Sequence, residues 1–165
     1  MTGNPPSELD GLKAEHIAPH TMEASAPPLF LAPMAGVTDL AYRILARECG
    51  ADMTVTEFTA ASGLTRKNTY SWLKVESDPR ESPFIPQIFG GITEEMVQTV
   101  EMLQDRADEI DINFGCPAPK VCRNDAGAAL LRDPDRVVSM VRACLEVSKV
   151  PITVKMRLGT GGGPN

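Results

Sequence analysis

The sequence predicts an α/β fold with a parallel β-sheet, because short apolar runs alternate with amphipathic helical patterns along the chain. Predicted strands begin near residues 29, 53, 84, 108 and 151. Strands that alternate with helices form right-handed βαβ units, in which the strands are parallel. A doubly wound sheet and a (β/α)₈ barrel both fit this spacing. Since a complete barrel needs about 250 residues, this 165-residue chain would supply its first four to five βα units.

The two ends of the chain differ in composition from its middle. Residues 1–28 contain five prolines and almost no periodic apolar pattern, so they cannot bury enough surface to offset the entropy of ordering. Residues 159–165 contain four glycines and a proline. We therefore expect a disordered N-terminal tail at 1–28, a folded body at 29–158 and a flexible C-terminal end at 159–165.

The first βα unit starts with the apolar run 29–32, which has the length of a buried strand and ends at Pro33. Thr38 is the predicted N-cap of the following helix, because its hydroxyl oxygen can accept from a free N–H group of the first turn. Gly50 stands at the predicted helix end, where glycine adopts the left-handed conformation readily. The second strand is predicted at 53–56.

The later elements follow the same alternation. Residues 59–80 predict short helical turns around Trp72. Thr93 is the predicted N-cap of a second helix, and Asp133 is that of a third, with Pro134 at its first position. The remaining strands are predicted at 84–89, 109–114 and 152–158.

Three predicted strands carry polar residues where a strand covered on both faces would be apolar throughout. In 109–114 and 152–158 the apolar residues share one face and the polar residues share the other. An exposed face of an antiparallel sheet would explain this pattern, and so would a polar site inside a parallel barrel near the C-terminal strand ends. The intervening helices favour the barrel site. Its candidate residues are Gln87, Asp111, Asn113, Thr153, Lys155 and Arg157.

Cys116 follows the fourth predicted strand directly, between Gly115 and Pro117. A thiol at the rim of a site serves as a nucleophile, as a proton donor or only as a packing residue, and the spacing alone favours packing. His16 and His20, the only histidines, lie in the predicted tail, so nothing supports a Cys–His nucleophile pair. Proton donation is therefore the better catalytic hypothesis.

The other cysteines and the turn after the first strand give weaker signals. Cys49 and Cys144 occupy helical positions and are predicted core residues, whereas the position of Cys122 is left open. The turn at 33–36 combines proline with small residues, so its backbone could lie against a flat ligand.

Composition and charge exclude several classes of protein. A formal net charge of −6 argues against a free-standing nucleic-acid-binding protein, which usually carries a basic excess. No apolar run approaches the roughly 18–20 residues that span a bilayer, and no secretory signal opens the chain, so we expect a cytoplasmic protein. The chain has no CxxC pattern, so we predict no metal site. No GxGxxG pattern precedes a helix, which excludes a Rossmann dinucleotide site.

Five motifs in order along residues 29–159 resemble the tRNA-dihydrouridine synthase family. The Asn-x-Gly-Cys-Pro element and the downstream Lys-x-Arg strand are the most specific pair. The motifs are LAPMAGVTD at 31–39, PQIFG at 86–90, DINFGCP at 111–117 with Lys120 and Val121, GAALL at 127–131 and VKMRLG at 154–159.

The resemblance implies a flavin-dependent TIM-barrel enzyme. Such an enzyme reduces the C5=C6 bond of uridine in tRNA with hydride from reduced FMN, and NADPH is the electron donor. The resemblance also implies later barrel strands that bind the FMN phosphate, and a C-terminal helical tRNA-binding domain, which have no counterpart in these 165 residues. We therefore expect a fragment, the first half of the TIM barrel, with little FMN affinity and little activity on its own.

By position, the resemblance implies the residues that would bind FMN. The backbone of Pro33, Met34 and Ala35 would contact the edge of the isoalloxazine ring. Gln87 would hydrogen-bond the ring. Lys155 would lie by the flavin N1–C2=O region, where an ammonium stabilises the negative charge of reduced flavin.

The same resemblance implies roles toward the substrate. Asn113 would orient the flavin or the uracil, and Cys116 would protonate uracil C5 after hydride reaches C6. Lys120, Arg123 and Arg157 are the candidate contacts to tRNA. A solvated helix face and loop would explain Lys120 and Arg123 equally well.

Two other readings remain open at this point. One is another FMN barrel oxidoreductase of the dihydroorotate or dihydropyrimidine dehydrogenase kind. The other is a non-catalytic half-barrel that acts as an interaction module. Because a half-barrel leaves two unpaired strand edges, we also expect a homodimer or pairing with a missing C-terminal half.

Overall fold

The computed structural model describes residues 27–159, so nearly all of the predicted tail and the residues 160–165 lie outside the described part. The strands are β1 (Phe30–Leu31), β2 (Met53–Val55), β3 (Thr59–Ala60), β4 (Phe84–Ile85), β5 (Gln87–Phe89), β6 (Ile110–Asn113) and β7 (Ile152–Lys155). The helices are α1 (Leu40–Glu48), α2 (Ala61–Thr65), α3 (Thr69–Lys74), α4 (Thr93–Leu103), α5 (Pro119–Cys122) and α6 (Pro134–Val147). A 3₁₀ helix at Gly127–Arg132 precedes α6.

All strand pairs are parallel and form two sheets, with the orders β1–β2–β4 and β3–β5–β6–β7. Hydrogen bonds continue from one sheet into the other. The N–H of Thr56 donates to the carbonyl of Ile85 at 3.1 Å, and the N–H of Gln87 donates to the Thr56 hydroxyl at 3.0 Å. Pro86 has no N–H to donate, which explains why the predicted strand 84–89 divides there. The predicted α/β class with parallel strands is confirmed.

The sheet does not close into a barrel within the described residues. β1 and β7 are its outer strands and do not pair with each other. Apolar side chains are exposed at both edges, among them Phe30 in β1 and Val154 in β7. The number of βα units in a barrel and the pairing of these edges with a second chain segment both stay predictions.

The main core lies between the sheet and the helices α2, α4 and α6. In β6 the side chains of Ile110 and Ile112 are fully buried in this core. Asp111 and Asn113 alternate with them and therefore lie on the other face of the sheet, where they are also buried. The predicted division of this strand into an apolar face and a polar face is thus visible, and neither face is open to solvent.

The first helix begins one residue later than predicted. Asp39 is the N-cap of α1, and its carboxylate accepts from the N–H of Tyr42 at 2.9 Å. The prediction that Thr38 caps this helix is wrong, because the Thr38 hydroxyl accepts instead from the N–H of Met34 at 3.0 Å. The helix ends as expected, with Gly50 at φ +100°.

The two later helices differ in how they begin. α4 begins at Thr93 itself, and Ile92 precedes it without a side-chain cap, so the prediction of a Thr93 cap is wrong. Glu94 and Glu95 lie in the first turn, where carboxylates favour the positive end of the helix dipole. Asp133 caps α6 as predicted by accepting from the N–H of Arg136 at 3.1 Å.

The last strand is shorter than predicted and its apolar face is not covered. β7 ends at Lys155, so Arg157 follows the strand rather than lying within it. Val154, Met156 and Leu158 share the predicted apolar face and are exposed. No described helix follows β7 to pack against that face.

The two cysteines predicted to lie in the core differ. Cys144 is fully buried, and its burial raises the pKa of its thiol to about 11, as expected for an unreactive packing residue. Cys49 is exposed, so that prediction is wrong. Cys49 follows the last residue of α1 as its C-cap and therefore lies off the buried helical stripe.

A buried ion pair between Arg43 and Glu81 ties α1 to the segment before β4. The guanidinium donates to both carboxylate oxygens, at 2.5 and 3.1 Å, and both side chains are almost fully buried. The Thr54 hydroxyl of β2 donates to the same carboxylate at 2.8 Å. Arg43 also donates to the carbonyls of Thr38 and Glu76. The pair therefore joins three segments that are distant in sequence.

Glu81→Ala is expected to lower the free energy of unfolding by about 3–5 kcal/mol, because it leaves the Arg43 charge buried without a partner. Urea denaturation followed by circular dichroism measures this change. Glu48→Ala is the matched control, since Glu48 pairs with Arg80 while both side chains are more than half exposed. The control is expected to change stability by less than about 1 kcal/mol. Equal losses in the two variants would contradict the structural role of the buried pair.

Candidate functional site

The candidate residues of three neighbouring strands lie side by side on the inner face of the sheet. Gln87 of β5 is in register with Asp111 of β6, and Asn113 of β6 is in register with Lys155 of β7. Asn113 and Lys155 end their strands, whereas Gln87 begins β5 one register step below them. The structure thus brings together three predicted site residues, Gln87, Asn113 and Lys155.

The amide of Gln87 is held between two side chains of β6. Its nitrogen Nε2 donates to Oδ2 of Asp111 at 2.5 Å, and its oxygen Oε1 accepts from Nδ2 of Asn113 at 2.9 Å. Gln87 is completely buried. The Gln87 amide therefore uses its nitrogen toward Asp111 and its oxygen toward Asn113.

The hydroxyl of Thr153 lies between two carboxyl groups. It is 2.7 Å from Oε1 of Glu109 and 2.9 Å from Oδ1 of Asp111. One hydroxyl hydrogen serves only one acceptor, so both contacts are hydrogen bonds at once only when one carboxyl group carries a proton. Burial raises the pKa of the Asp111 carboxyl, against the lowering effect of the hydrogen bonds from Gln87 and Thr153.

Asn113 connects this row of side chains to the loop that carries Cys116. Its oxygen Oδ1 accepts from the N–H of Gly115 at 3.1 Å and from the N–H of Cys116 at 2.9 Å. The carbonyl of Cys116 accepts from the N–H of Ala128 at 2.9 Å. The backbone at Cys116 is thus held from both sides, while the residue itself is only partly buried.

The turn after β1 satisfies most of its polar groups internally. The N–H of Met34 donates to the Thr38 hydroxyl at 3.0 Å, and the N–H of Gly36 donates to Oε2 of Glu57 at 2.7 Å. Within the described part of the chain, the N–H of Ala35 makes no such bond. Of the predicted contacts Pro33, Met34 and Ala35, the last therefore offers the backbone N–H that is available to a ligand.

Sequence reasoning gave no role to Glu57, although the structure gives it one. Glu57 is buried, and besides Gly36 it contacts the Lys74 ammonium at 3.4 Å. It lies just beyond β2, so an acidic residue at a strand end was the available signal. Asp111 and Thr153 were singled out only as polar positions, and the structure shows that they set the state of the neighbouring amide.

A cavity of about 440 Å³ opens on the inner face of the sheet. Its walls include the predicted residues Pro33, Gln87 and Lys155. Asp111 and Thr153 also line it. The cavity therefore combines a proline turn, a buried amide, a buried carboxyl group and an ammonium.

The three basic residues predicted to contact the substrate do not form one cluster. Arg157 donates from Nε to the carbonyl of Gly115 at 2.7 Å, beside Cys116. Arg123 donates from Nε to the carbonyl of Pro119 at 3.3 Å within its own helix end. Lys120 lines a different cleft, on the outer side of the Cys116 loop.

The donors in and beside the cavity match the edge of a flavin ring, which presents both donors and acceptors. The Gln87 amide nitrogen uses one hydrogen on Asp111 and keeps a second one. Asn113, which is next to Gln87 but outside the cavity lining, likewise keeps one amide hydrogen. Lys155 is exposed and supplies a positive charge at the same level of the sheet. These residues would hold the ring, whereas none of these contacts identifies a site for a phosphate group.

Other kinds of site are not found in the described residues. Between residues 27 and 159 no group of three or more histidine, cysteine or carboxylate side chains could hold a metal ion. Within the same range no helix is both long enough and apolar enough to cross a bilayer.

Comparison with known proteins agrees with the motif pattern. The family model described as dihydrouridine synthase matches residues 30–162. A probable tRNA-dihydrouridine synthase of Rhizobium leguminosarum bv. phaseoli is 40% identical over 130 residues, which cover 78% of this chain and 41% of that protein. A tRNA-dihydrouridine synthase B of Pseudomonas aeruginosa is 40% identical over 147 residues, which cover 87% of this chain and 42% of that protein.

The chain spans about two fifths of the length of these curated relatives. The family model nevertheless covers the whole set of motifs and every strand of the structure. The chain therefore belongs to the dihydrouridine synthase family.

Proposed function

We propose that this chain carries the FMN-binding and proton-donating part of a tRNA-dihydrouridine synthase, which reduces the C5=C6 bond of uridine in tRNA. The observation that carries the proposal is the hydrogen-bonded row from Asp111 through Gln87 and Asn113 to the backbone of Cys116. In this row Asn113 is in register with Lys155 and accepts from the backbone of a partly exposed cysteine, which supports the proposal. The family membership favours this reaction over the other flavin enzymes and over a non-catalytic module.

FMN, when bound, would supply the hydride, and NADPH would reduce the oxidised FMN again. Lys155 would hold its ammonium against the negative charge of the reduced ring, and Gln87 would donate its remaining amide hydrogen to a ring acceptor. Asn113 would keep the Cys116 loop at a fixed height above the sheet. The proposed partner is tRNA and the proposed location is the cytoplasm.

Cys116 would hold the proton that the reaction needs at carbon. Hydride addition at C6 of the uracil leaves a negative charge at C5, and the Cys116 thiol would transfer its hydrogen there and become a thiolate. A proton from water would then restore the thiol. Proton transfer by a positioned general acid contributes about 10²–10⁴ in rate. Substrate contacts from Lys120, Arg123 and Arg157 are proposed only in supporting roles.

Lys155→Met is expected to weaken FMN binding about tenfold, which corresponds to about 1.4 kcal/mol. The reason is the loss of the one ammonium that is in register with Asn113. Titration of the protein with FMN, followed by flavin fluorescence and by absorbance near 450 nm, measures the dissociation constant. Lys149→Met is the matched control, because its ammonium contacts exposed Asp105 at 3.0 Å, before the start of β7. Equal dissociation constants for the unsubstituted chain and Lys155→Met would contradict the role of Lys155 in cofactor binding.

Cys116→Ala is expected to leave FMN binding unchanged and to lower dihydrouridine formation by about 10²–10⁴. The assay counts dihydrouridine in unmodified tRNA with FMN and NADPH in excess. Cys122→Ala is the control, because Cys122 ends the short helix α5 that follows the Cys116 loop, and its thiol donates to the Cys116 carbonyl at 3.6 Å. It is expected to retain activity. Equal activity of the parent and Cys116→Ala would remove the proton-donor role.

Asp111→Asn tests the raised pKa of the Asp111 carboxyl group, which accepts a hydrogen bond from the Gln87 amide. An asparagine at this position accepts from Gln87 and donates to Thr153, as a protonated Asp111 does, but it does not ionise. A carboxyl group with a raised pKa contributes stability that is complete below its ordinary pKa near 4 and is lost as the pH rises through the raised pKa. The parent is therefore expected to lose stability relative to the variant as the pH rises from about 4 through the raised pKa of Asp111.

Urea denaturation of both proteins across this pH range measures the difference. Asp105→Asn is the control, since Asp105 is largely exposed and contacts the Lys149 ammonium outside the row of buried side chains. A constant difference between the parent and Asp111→Asn would show that Asp111 is ionised throughout.

A further inference from the structure

Two of the four cysteines lie together at the loop that follows β6. Cys116 is in the loop itself, and Cys122 is the last residue of α5. Both residues are partly buried, and all four cysteines are free thiols. The proposed function described above uses Cys116 only and leaves the neighbouring thiol without a role.

The thiol of Cys122 contacts Cys116 directly. Its S–H donates to the carbonyl of Cys116 at 3.6 Å, and the N–H of Ala128 donates to the same oxygen at 2.9 Å. The N–H of Cys116 donates to Oδ1 of Asn113 at 2.9 Å. The backbone of Cys116 is therefore held by three hydrogen bonds, and the second thiol makes one of them.

Gly127 allows the loop and α5 to approach each other closely. It has a φ of +59°, and a Cβ at this position would lie 2.7 Å from the carbonyl oxygen of Cys116 and 2.8 Å from Cγ1 of Val121. It would also lie 3.3 Å from Cβ of Cys116. Only glycine combines this backbone conformation with such close neighbours. Cys116 and the residue before Cys122 thus pack against the same point of the backbone.

The segment that joins the two cysteines is short and partly rigid. Of the intervening residues 117–121, Pro117 and Pro119 have a fixed φ. Helix α5 is a single turn in which Val121 is the only buried residue, and Val121 does not belong to the main core. A small rotation of this turn therefore moves Cys122 toward Cys116 without repacking the core.

The other two cysteines have different surroundings. Cys144 is fully buried in the main core, and its burial raises the pKa of its thiol to about 11, which disfavours the reactive thiolate. Cys49 is exposed at the end of α1. Only Cys116 and Cys122 combine partial exposure with a contact between the two residues.

We infer that Cys116 and Cys122 form a reversible disulfide bond when a hydroperoxide oxidises the chain, and that this bond holds the proposed proton donor in an inactive form. The formation of the bond goes beyond the proposed function, whereas its effect on activity rests on that function. In a reducing compartment such bonds are usually transient and serve catalysis or redox sensing.

The reaction with hydrogen peroxide takes two steps. The Cys116 sulfur attacks one peroxide oxygen and the O–O bond breaks, which leaves a sulfenic acid and one water molecule. The Cys122 sulfur then attacks the Cys116 sulfur, the S–S bond forms, and the S–O bond breaks as hydroxide leaves with the Cys122 proton as water. The two thiols lose two electrons and two protons, and the peroxide is reduced to two water molecules. A dithiol reverses the bond by thiol–disulfide exchange.

The experiment treats the reduced chain with hydrogen peroxide, blocks the remaining thiols with iodoacetamide and digests the protein with trypsin. Because Lys120 lies between the two cysteines, trypsin leaves them on separate peptides that stay joined only through the disulfide. Mass spectrometry counts the joined peptides and needs neither FMN nor tRNA. The test variant is Cys122→Ala. The matched control is Cys49→Ala, which removes one thiol outside the pair.

In the parent and in Cys49→Ala, the joined peptides are expected to be the main oxidised form of Cys116, and dithiothreitol is expected to separate them. Cys116 in Cys122→Ala lacks this partner and is expected to accumulate as the sulfinic acid, which dithiothreitol does not reduce. Sulfinic Cys116 in the parent without joined peptides would overturn the inference. Joining of Cys116 to Cys49 as often as to Cys122 would overturn it too.

Dihydrouridine formation gives a second readout. Peroxide is expected to lower the activity of the parent at least about tenfold and dithiothreitol to restore it, whereas Cys122→Ala is expected not to recover. Full activity of a completely joined protein would overturn the inactive state. Because the peptide readout involves no turnover, the two proposals fail separately: joined peptides in a chain that is inactive when reduced would contradict the proposed function alone.

Discussion

The parallel register of β5, β6 and β7 is the constraint on which the candidate site depends. It sets Gln87 opposite Asp111 and Asn113 opposite Lys155. A buried amide and a buried carboxyl group must satisfy each other, because an unpaired polar group in the interior costs about 1–3 kcal/mol. The direction of the Gln87 amide is therefore set by burial and hydrogen bonding before any ligand arrives. A slip of one residue would place these polar side chains in the hydrophobic core and Ile110 and Ile112 on the inner face.

Hydrogen bonds from buried side chains also hold the loops that follow the strands. The Asn113 side chain accepts from two N–H groups of the Cys116 loop, and the Glu57 side chain accepts from Gly36 in the turn after β1. In each case one buried polar side chain near a strand end fixes a backbone segment that follows a strand. Such a site is preorganised, because the loops are already ordered and lose little conformational entropy when a ligand binds.

Periodicity predicted most of the strands and helices and the strand face that carries Asp111 and Asn113, and it failed where several local hydrogen-bond partners compete. The alternation of polar and apolar residues in 109–114 placed Asp111 and Asn113 correctly on one face. The predicted cap at Thr38 was wrong because the Thr38 hydroxyl accepts from the N–H of Met34 in the preceding turn. That contact depends on loop geometry, which a sequence does not show. The partnership of Glu57 with Gly36 joins residues 21 positions apart, and no local pattern reveals it. Cys49 lies one residue beyond the regular helix, and it is exposed rather than buried as predicted.

Net charge is a poor guide to what a particular surface of this chain binds. An excess of acidic residues argues against binding nucleic acid through the surface as a whole, because that mode needs a broad basic field. It does not argue against a cleft, since exposed charges more than about one Debye length apart, roughly 8 Å at physiological salt, are largely screened from each other. An anion in the cleft that Lys120 lines would therefore respond mainly to the groups around it, where cations outnumber carboxylates. Residues 59–80, which periodicity resolved least, contribute Arg66 and Tyr70 to that cleft from the short helices α2 and α3 and their ends.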